Sequence, residues 1–312
     1  MKVAITGAGG YLGGLLVHAH VGRGDTVHVL TRGAAPTVTS RVSAFAADLT
    51  KPDTIPSGFF DAVDVLYHCA AELTREALMP RVNVEGTRAL LAGARGRIRH
   101  WVQLSSVAVY GRLHSGIVNE DSPGGVADTY ARTKLEADDL VRASRNHGFS
   151  HTLLRPSTVI GPHMRSRAVY SLLDALKRRI FFFIGPRGAI LNYVHETNVV
   201  SALLLCATHA AAKNRTYNLS QDCEVEHVIE ILAAAIERPP PRVRVGEKVA
   251  RAAARIGCAV PGFPLTPGRI DALTNRVEYP ATRITAELGY RHEAPVEAAL
   301  RDLAGLWKRS RA

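Results

Sequence analysis

The hydrophobic residues fall into short apolar runs that alternate with stretches of helical spacing. Residues 2–6 form an apolar run too short for a helix, a glycine cluster follows, and apolar residues then recur at helical spacing from Leu12 until Gly24. A second apolar run covers residues 26–31. The first thirty-odd residues are therefore predicted to form a strand, a tight glycine turn, a helix and a second strand.

The same alternation continues through the first half of the chain. Further strands are predicted at 44–47, 62–70, 101–104 and 152–156, and helices are predicted to begin near 83 and 130. Strands that alternate with helices predict a parallel sheet covered on both faces, with a ligand crevice at the carboxyl ends of the strands. Residues 111–128 are rich in glycine, proline and polar side chains, so we expect a loop over that crevice.

The regular alternation is lost after Gly161, which predicts a second lobe. We expect residues 193–195 and 216–219 to return to the sheet, the prolines at 239–241 to divide two helices, and the last 30 residues to form a helix, a turn at Gly289 and a helix. The predicted fold class is α/β, a Rossmann doubly wound parallel sheet with a smaller C-terminal substrate-binding lobe. Its dinucleotide-binding domain would comprise residues 1–160 plus about 190–221, and its lobe about 161–189 plus 222–312.

Composition narrows the class of protein. The 312 residues are 46% hydrophobic, which is enough for a large core. Glycines interrupt the apolar residues at the start of the chain, and this interruption is not typical of a signal peptide. No uncharged run approaches the length of a membrane span, so we expect a cytoplasmic protein with no membrane partner. Four scattered cysteines without a C-x-x-C pair predict neither a disulfide framework nor a metal site; they are Cys69, Cys206, Cys223 and Cys258.

A formal net charge of +11 raises the question of nucleic-acid binding. The basic residues are dispersed, with short clusters only at 177–179 and 308–311, and no aromatic residues are interleaved with them. We therefore expect no nucleic-acid partner. Two interpretations of the positive charge remain open. Either the basic surface attracts phosphorylated small molecules, or the arginine-rich composition has no bearing on binding partners.

The glycines at 7, 10 and 13 predict a dinucleotide site. They give the pattern T-G-x-x-G-x-x-G between a predicted strand and a predicted helix. Residues without side chains allow a tight turn, let a pyrophosphate approach main-chain amides at the helix N-terminus, and let that helix pack closely on its strand. A glycine triplet alone also occurs in ordinary turns, so the prediction depends on this position between strand and helix.

Tyr130 and Lys134 carry the candidate chemistry. Four residues apart on one predicted helix, they share a face, and a lysine ammonium would lower the pKa of a tyrosine from its usual value near 10. Ser106, at the end of the strand over 101–104, could bond the same substrate oxygen. These three residues would move a proton while a nicotinamide moves a hydride. The alternative for the Y-x-x-x-K pair is a solvated surface pair.

Several motifs resemble one family over nearly the whole chain. They are Thr6-Gly7-x-x-Gly10-x-x-Gly13, His68-Cys69-Ala70-Ala71, Asn83-Val84-x-Gly86-Thr87, the segment 105–111, Tyr130-x-x-x-Lys134 and Leu154-Arg155-Pro156. They are similar to those of the extended short-chain dehydrogenase/reductases, the NAD-dependent epimerase/dehydratase family. The resemblance implies that Ser106, Tyr130 and Lys134 form a catalytic triad, that Asn83 lies by the cofactor unless it caps a helix, and that the protein is a homodimer.

The cofactor site predicted on this basis comprises Gly7, Gly10, Tyr11, Leu12, Gly13, Arg32, Asp48, Leu49, Ala70, Ala71, Asn83, Ser105, Lys134 and Pro156. Asp48 would meet the adenine amino group or cap a helix. Arg32 follows the second strand, where NAD enzymes usually place a carboxylate, so we expect NADP(H) to be preferred, with NAD(H) possible. Stacking of Arg32 on the adenine is the alternative.

The expected substrate is a nucleotide sugar that is reduced, oxidised or epimerised, since cations are concentrated between 161 and 190. Its predicted contacts are Ser106, Tyr130, Arg165, Arg187 and Arg269. A steroid-like or dihydroflavonol-like alcohol is the alternative, because Leu191-Asn192 stands where sugar enzymes of this family often have Arg-Asp. A non-catalytic dinucleotide-binding regulator is the weaker alternative.

Overall fold

Strands and helices alternate along the chain in the computed structural model, which describes residues 1–33, 40–164, 168–257 and 265–311. The strands are β1 Lys2–Thr6, β2 Thr26–Thr31, β3 Val42–Ala46, β4 Val65–His68, β5 His100–Leu104, β6 Ser115–Ile117, β7 Ser150–Pro156, β8 Thr158–Ile160, β9 Phe183–Ile184, β10 Ile190–His195, β11 Arg215–Leu219, β12 Gln221–Glu224, β13 Arg244–Val245 and β14 Arg276–Glu278. The α-helices are α1 Tyr11–Gly22, α2 Gly86–Ala94, α3 Thr129–Ala143, α4 Ala168–Lys177, α5 Glu196–Thr208, α6 Val225–Ala235, α7 Glu247–Gly257, α8 Pro267–Thr274, α9 Thr282–Leu288 and α10 Val296–Arg309.

The main sheet has seven strands in the order β3-β2-β1-β4-β5-β7-β11, and every neighbouring pair is parallel. The order runs backwards from β1 to β3 and forwards from β4, so the sheet reverses between β1 and β4. Crevices for ligands form at such a reversal, outside the carboxyl ends of the strands. The predicted doubly wound Rossmann sheet is confirmed.

Helices cover both faces of this sheet. Leu16 of α1 and Leu203 of α5 are fully buried in the core on one face, and Leu90 of α2 and Val141 of α3 are fully buried in the core on the other. Strands buried on both faces read as continuous apolar runs, which is why the sequence pattern identified them.

A second sheet corrects one sequence prediction. Residues 193–195 do not return to the main sheet but lie in β10, which pairs in parallel with β8 and antiparallel with β12. An apolar alternation shows that a segment is a strand but not which sheet it joins. The other predicted return, at 216–219, is confirmed, because β11 pairs with β7 at the edge of the main sheet.

The C-terminal part of the chain builds its own core on this second sheet. Leu173 of α4, Leu232 of α6 and Leu300 of α10 are buried together beside Tyr193 of β10. The two helices on either side of prolines 239–241 are present, and Gly289 ends α9 with a positive φ of 65°. The stretch over 111–128 is not entirely loop, since β6 pairs with β14 through Gly116 and Val277; a strand of three exposed residues leaves no apolar pattern to detect.

Cys69, Cys206 and Cys223 are free thiols, and Cys258 lies outside the described residues. Across the described ranges, no group of three or more histidine, cysteine, aspartate or glutamate side chains could hold a metal ion. The described helices include none with the length and apolarity needed to cross a bilayer.

Candidate active site

A cleft of about 690 Å³ lies at the carboxyl ends of β1 and β4, where the sheet order reverses. Most of the residues predicted for the cofactor and the chemistry line it. These are Gly7, Gly10, Tyr11, Leu12, Gly13, Arg32, Asp48, Leu49, Ala70, Ala71, Ser105, Ser106, Tyr130, Lys134 and Pro156. The structure therefore brings the glycine turn and the Ser-Tyr-Lys set into one site.

The glycine turn is a cradle that side chains would fill. Gly7 has a positive φ of 72°, and a Cβ added there would lie 2.7 Å from the backbone nitrogen of Ala70. A Cβ on Gly13 would collide with the carbonyl oxygen of Gly7, which also accepts a 2.8 Å hydrogen bond from the Gly10 amide. Because α1 begins directly after this turn, free amides at a helix N-terminus face the cleft, and a dinucleotide pyrophosphate fits such a site.

A buried histidine joins the two central strands beneath this cradle. Nδ1 of His68 lies 2.7 Å from the hydroxyl oxygen of Thr6, and Nε2 lies 2.9 Å from the hydroxyl oxygen of Thr87. Thr6 also accepts a hydrogen bond from the amide of Ala70 at 3.2 Å, which fixes the cleft wall at the end of β4. Burial lowers the pKa of His68 to about 3, so the ring is neutral. Thr6 and Thr87 lie inside two of the family motifs, but these roles were not predicted from the sequence.

Two elements bring the catalytic candidates together. Ser106 follows β5, and its hydroxyl accepts a hydrogen bond from the Ala108 amide that begins a short turn. Asp128 caps α3 by accepting from the Ala131 amide at 2.8 Å, which fixes the helix start so that Tyr130 lies in its first turn. Lys134 is one turn further on, almost fully buried. Its ammonium donates to the carbonyl oxygen of Leu104, the last residue of β5, at 2.7 Å.

The electrostatics of Tyr130 differ from the sequence expectation. Burial raises the pKa of Tyr130 to about 12, hydrogen bonding with Ser106 opposes this rise, and the charges of Asp138 and Asp128 add to it. The lysine does not lower the pKa as expected, because its ammonium is directed at the end of β5 and burial lowers its own pKa. The Tyr130 hydroxyl is therefore protonated at neutral pH and ready to donate.

A buried ion pair between Asp138 and Arg155 stabilises the elements that carry the catalytic candidates. The Asp138 carboxylate is inaccessible to solvent and accepts hydrogen bonds from the Arg155 guanidinium at 2.9 and 3.1 Å. The same oxygen accepts from the hydroxyl of Ser105 at 2.9 Å. Since Asp138 is one turn after Lys134 on α3, the pair fixes the helix, the end of β5 and β7 relative to each other. The sequence analysis did not single out Asp138.

Asn83 lies one layer behind the cleft and does not line it. The alternative role of Asn83 as a helix N-cap is not observed, because Asn83 lies inside a π-helical turn, Pro80–Glu85. Its side-chain oxygen accepts from the Glu72 amide at 2.7 Å, and its nitrogen donates to the Glu72 carbonyl and to the Thr133 hydroxyl. Asn83 thus holds the cleft-lining segment after Ala71 against α3.

Arg32 and Asp48 lie together at the far end of the cleft. A hydrogen bond from the Thr50 amide and, to a lesser extent, the positive charge of Arg32 hold the pKa of Asp48 below its usual value. A carboxylate is therefore near Arg32, which the sequence analysis did not expect at this position. Within the described ranges, the Arg32 guanidinium has no hydrogen-bond or ion-pair partner.

Two of the predicted substrate arginines, Arg187 and Arg269, do not line this cleft, and the third, Arg165, lies outside the described residues. Arg269 lines a second cavity, of about 460 Å³, beneath α4 and α8. The exposed Arg187 does not line the second cavity either. That cavity is largely apolar, with Arg178 as a further cation; its apolar side chains include Phe181, Phe182, Ile184, Leu191, Leu265 and Leu273.

Known proteins resemble this chain over most of its length. The profile of the NAD dependent epimerase/dehydratase family matches residues 3–220. A 4-hydroxy-2-methyl-3-oxo-4-farnesyl-3,4-dihydroquinoline-1-oxide ketoreductase from Stigmatella aurantiaca is 29% identical, over 82% of this chain and 80% of that protein. Sterol demethylase protein B from Methylococcus capsulatus is 27% identical, over 91% of this chain and 88% of that protein.

Solved structures share the fold. The UDP-glucuronic acid 4-epimerase from Bacillus cereus in complex with NAD superimposes with a TM-score of 0.77 at 17% identity, over the whole of both chains. The UDP-glucose 4-epimerase from Thermotoga maritima with UDP-glucose gives a TM-score of 0.75 at 16% identity, also over both whole chains. At these identities the likeness is one of fold.

Proposed function

The chain belongs to the NAD dependent epimerase/dehydratase family, and from that premise we propose that it transfers a hydride between a nicotinamide dinucleotide and an alcohol or ketone carbon, with Tyr130 moving the accompanying proton. The observation that carries the proposal is the convergence of Ser106, Tyr130 and Lys134 on the cleft that the glycine turn lines. A non-catalytic dinucleotide-binding protein would have no need of this set.

Each residue has a role that follows from its position. The amides of the glycine turn and the N-terminus of α1 hold the pyrophosphate, and the wall at Ala70 and Ala71 leaves room for the dinucleotide backbone. When bound, the nicotinamide supplies or accepts the hydride. Ser106 donates a hydrogen bond that orients the substrate oxygen, and the Lys134 ammonium, by donating to the Leu104 carbonyl, holds the end of β5 next to Tyr130 on α3.

Reduction starts from the protonated form of Tyr130. A ketone gains a hydride on its carbon and the Tyr130 proton on its oxygen, and the dinucleotide is oxidised. With the pKa of Tyr130 at about 12, the hydroxyl holds its proton until negative charge develops on the substrate oxygen. The reverse oxidation runs through the same states in the opposite order, with the tyrosinate accepting the proton of the alcohol.

The cofactor is expected to be NADP(H) in preference to NAD(H). Arg32 lies at the end of β2 with a guanidinium free to bond a 2′-phosphate. We expect Arg32→Ala to weaken NADP⁺ binding by about 1.5 to 3 kcal/mol, the usual value of a charged hydrogen bond, or roughly 10- to 150-fold, with little change for NAD⁺. Calorimetric titration of both dinucleotides measures these affinities.

Arg99→Ala serves as the control, because it removes an exposed arginine that is distant from Arg32 in the sequence. Tighter binding of NAD⁺ than of NADP⁺ by the wild type contradicts the preference. Unchanged discrimination between the two dinucleotides in the Arg32 variant contradicts it as well.

An apolar ketone or alcohol is the substrate class that we favour. Met164 lines the cleft and also packs on the core that contains Leu191 and Phe183, so the cleft continues into the apolar C-terminal part of the chain. Among its described lining residues, the cleft has Arg32 and Lys134 as its cations. Arg32 follows β2, which is three strands away from β5 and Ser106. The names of the two full-length relatives refer to a farnesylated ring ketone and to a sterol.

A nucleotide sugar is the second candidate. Arg178 and Arg269 line the second cavity and could meet a diphosphate. The B. cereus and T. maritima structures are those of enzymes named for UDP-sugars, and the latter was solved with UDP-glucose.

A binding and turnover panel separates the two candidates. We expect a 3-ketosteroid or a prenylated ring ketone to raise the unfolding temperature of the NADPH-bound protein and to consume NADPH, because a ligand at a hundred times its Kd stabilises by about 2.7 kcal/mol. UDP-glucose and UDP-glucuronic acid are the comparison ligands. Stabilisation by these sugars alone would make a nucleotide sugar the favoured substrate class and an apolar ketone or alcohol the second candidate. Failure of both dinucleotides to bind would overturn the proposed function.

A further inference from the structure

A buried carboxylate outside the proposed chemistry joins the glycine turn to the segment after β8. Glu196, the first residue of α5, is almost fully buried. One of its oxygens accepts a hydrogen bond from the Tyr11 hydroxyl, and the other lies 2.6 Å from Nδ1 of His163. The His163 amide also donates to the first oxygen, at 3.3 Å. Glu196 therefore bonds two segments that are more than 150 residues apart in the sequence.

Both of these segments reach the cleft. Tyr11 is the first residue of α1, directly after the glycine turn, and it lines the cleft on that side. His163 precedes Met164, which lines the cleft and packs on the C-terminal core. The amide of Met164 bonds the carbonyl of Gly161 at 3.0 Å, so residues 161–164 form a turn around the carboxylate. Glu196 thus lies between the dinucleotide side and the substrate side of one cleft.

The surroundings accommodate a carboxylate specifically. A Cβ on Gly161 would overlap the Glu196 side chain, so only glycine leaves room for it. The N-terminus of the 13-residue helix α5 favours a negative charge. Burial, together with the bond to Glu196, raises the pKa of Tyr11, which keeps its hydroxyl a donor.

Among the described residues, no lysine or arginine forms an ion pair with this carboxylate. Its ion-pair partner within the described ranges is His163, whose side chain is 63% exposed. A buried carboxylate with no lysine or arginine partner costs free energy, and Glu196 belongs to neither hydrophobic core. This cost favours a role in the working of the site over a role in folding.

We propose that Glu196 is a positioning residue that couples dinucleotide binding to the substrate side of the cleft. A dinucleotide seated on the glycine turn restrains Tyr11, Tyr11 restrains Glu196, and Glu196 restrains the backbone at 161–164 next to Met164. The inference rests on the dinucleotide binding in the proposed function but not on the nature of the substrate.

Hydrogen–deuterium exchange with saturating NADP⁺ tests the coupling without any turnover. In the wild type we expect NADP⁺ to slow amide exchange both in residues 7–14 and at Gly161, His163 and Met164. At these last three residues the exchange should slow by about 5-fold or more, which is the lower end of usual coupling factors. In Tyr11→Phe, at a concentration of NADP⁺ that saturates that variant, residues 7–14 should still be protected while 161–164 should not. The double variant with Glu196→Ala should add no further loss, since both changes break one connection.

The control is Glu224→Ala, which removes an exposed glutamate directly before α6 and should behave as the wild type. If Glu196→Ala does not fold, Tyr11→Phe still decides the matter. Protection of 161–164 that survives in Tyr11→Phe overturns the coupling, as does NADP⁺ binding to the wild type without protection there. A wild type that binds no dinucleotide overturns the coupling and the proposed function together.

Discussion

Replacing Tyr130 with phenylalanine is expected to lower turnover by about 10² or more, the usual scale for the loss of a general acid. The Tyr130 hydroxyl is the group placed to give its proton to the substrate oxygen, whereas Ser106 orients that oxygen and the Lys134 ammonium donates to the carbonyl of Leu104. Dinucleotide affinity should change little, since the ring and its packing on α3 are retained. Steady-state rates with the best ketone of the panel, together with titration of the dinucleotide, measure both effects.

The matched control for this variant is Tyr170→Phe, which removes a tyrosine hydroxyl on α4 that lines neither cavity. It should retain wild-type turnover. A Tyr130→Phe enzyme that works at the wild-type rate would remove Tyr130 from the mechanism and leave the proton donor unassigned.

The second large effect is expected for stability, from Asp138→Asn. This change leaves the buried Arg155 guanidinium without its counter-charge, and breaking a buried ion pair on one side costs about 3 to 5 kcal/mol. Urea denaturation measures the change in the free energy of unfolding. Because the Ser105 hydroxyl loses a charged acceptor as well, turnover should also fall.

The neighbouring residue supplies the control. Asp139 pairs with Arg142 on the solvent side of the same helix, where its side chain is 64% exposed, so Asp139→Asn should cost less than about 1 kcal/mol. Equal losses from both substitutions would contradict the assignment of the Asp138–Arg155 pair as the support of the site.

The main sheet and the catalytic set could be predicted because the signals that specify them are local. The glycine turn lies within a single stretch of sequence, and the four-residue spacing of Tyr130 and Lys134 fixes their common face once a helix is expected there. Ser106 follows from the rule that parallel strands end at one edge of a sheet. In each case the residue and the element that positions it are close together in the chain.

The remaining features depend on contacts between distant segments. Nothing near Tyr11 or Glu196 in the sequence indicates that they meet, and nothing near 193–195 indicates that this strand pairs with β8. Burial is equally hard to predict from the sequence. Lys134 was therefore expected to lower the pKa of Tyr130, whereas burial raises it. Arg187 and Arg269 lie outside the lining of the cleft for a related reason, since a cluster in sequence does not fix the direction of its side chains.

The neutral histidine beneath the glycine cradle, His68, makes the free energy of unfolding depend on pH. In the unfolded chain, His68 would bind a proton below its ordinary pKa of about 6.5, whereas in the folded protein it does so only below about 3. Between these values the unfolded chain holds more protons, so the free energy of unfolding falls as the pH drops through this window and is restored as the pH rises above it. Protonation would also deprive the ring of its acceptor nitrogen, and with it one of the hydrogen bonds to Thr6 and Thr87. Acid would therefore loosen β1 and β4 at the point where the dinucleotide has to be seated.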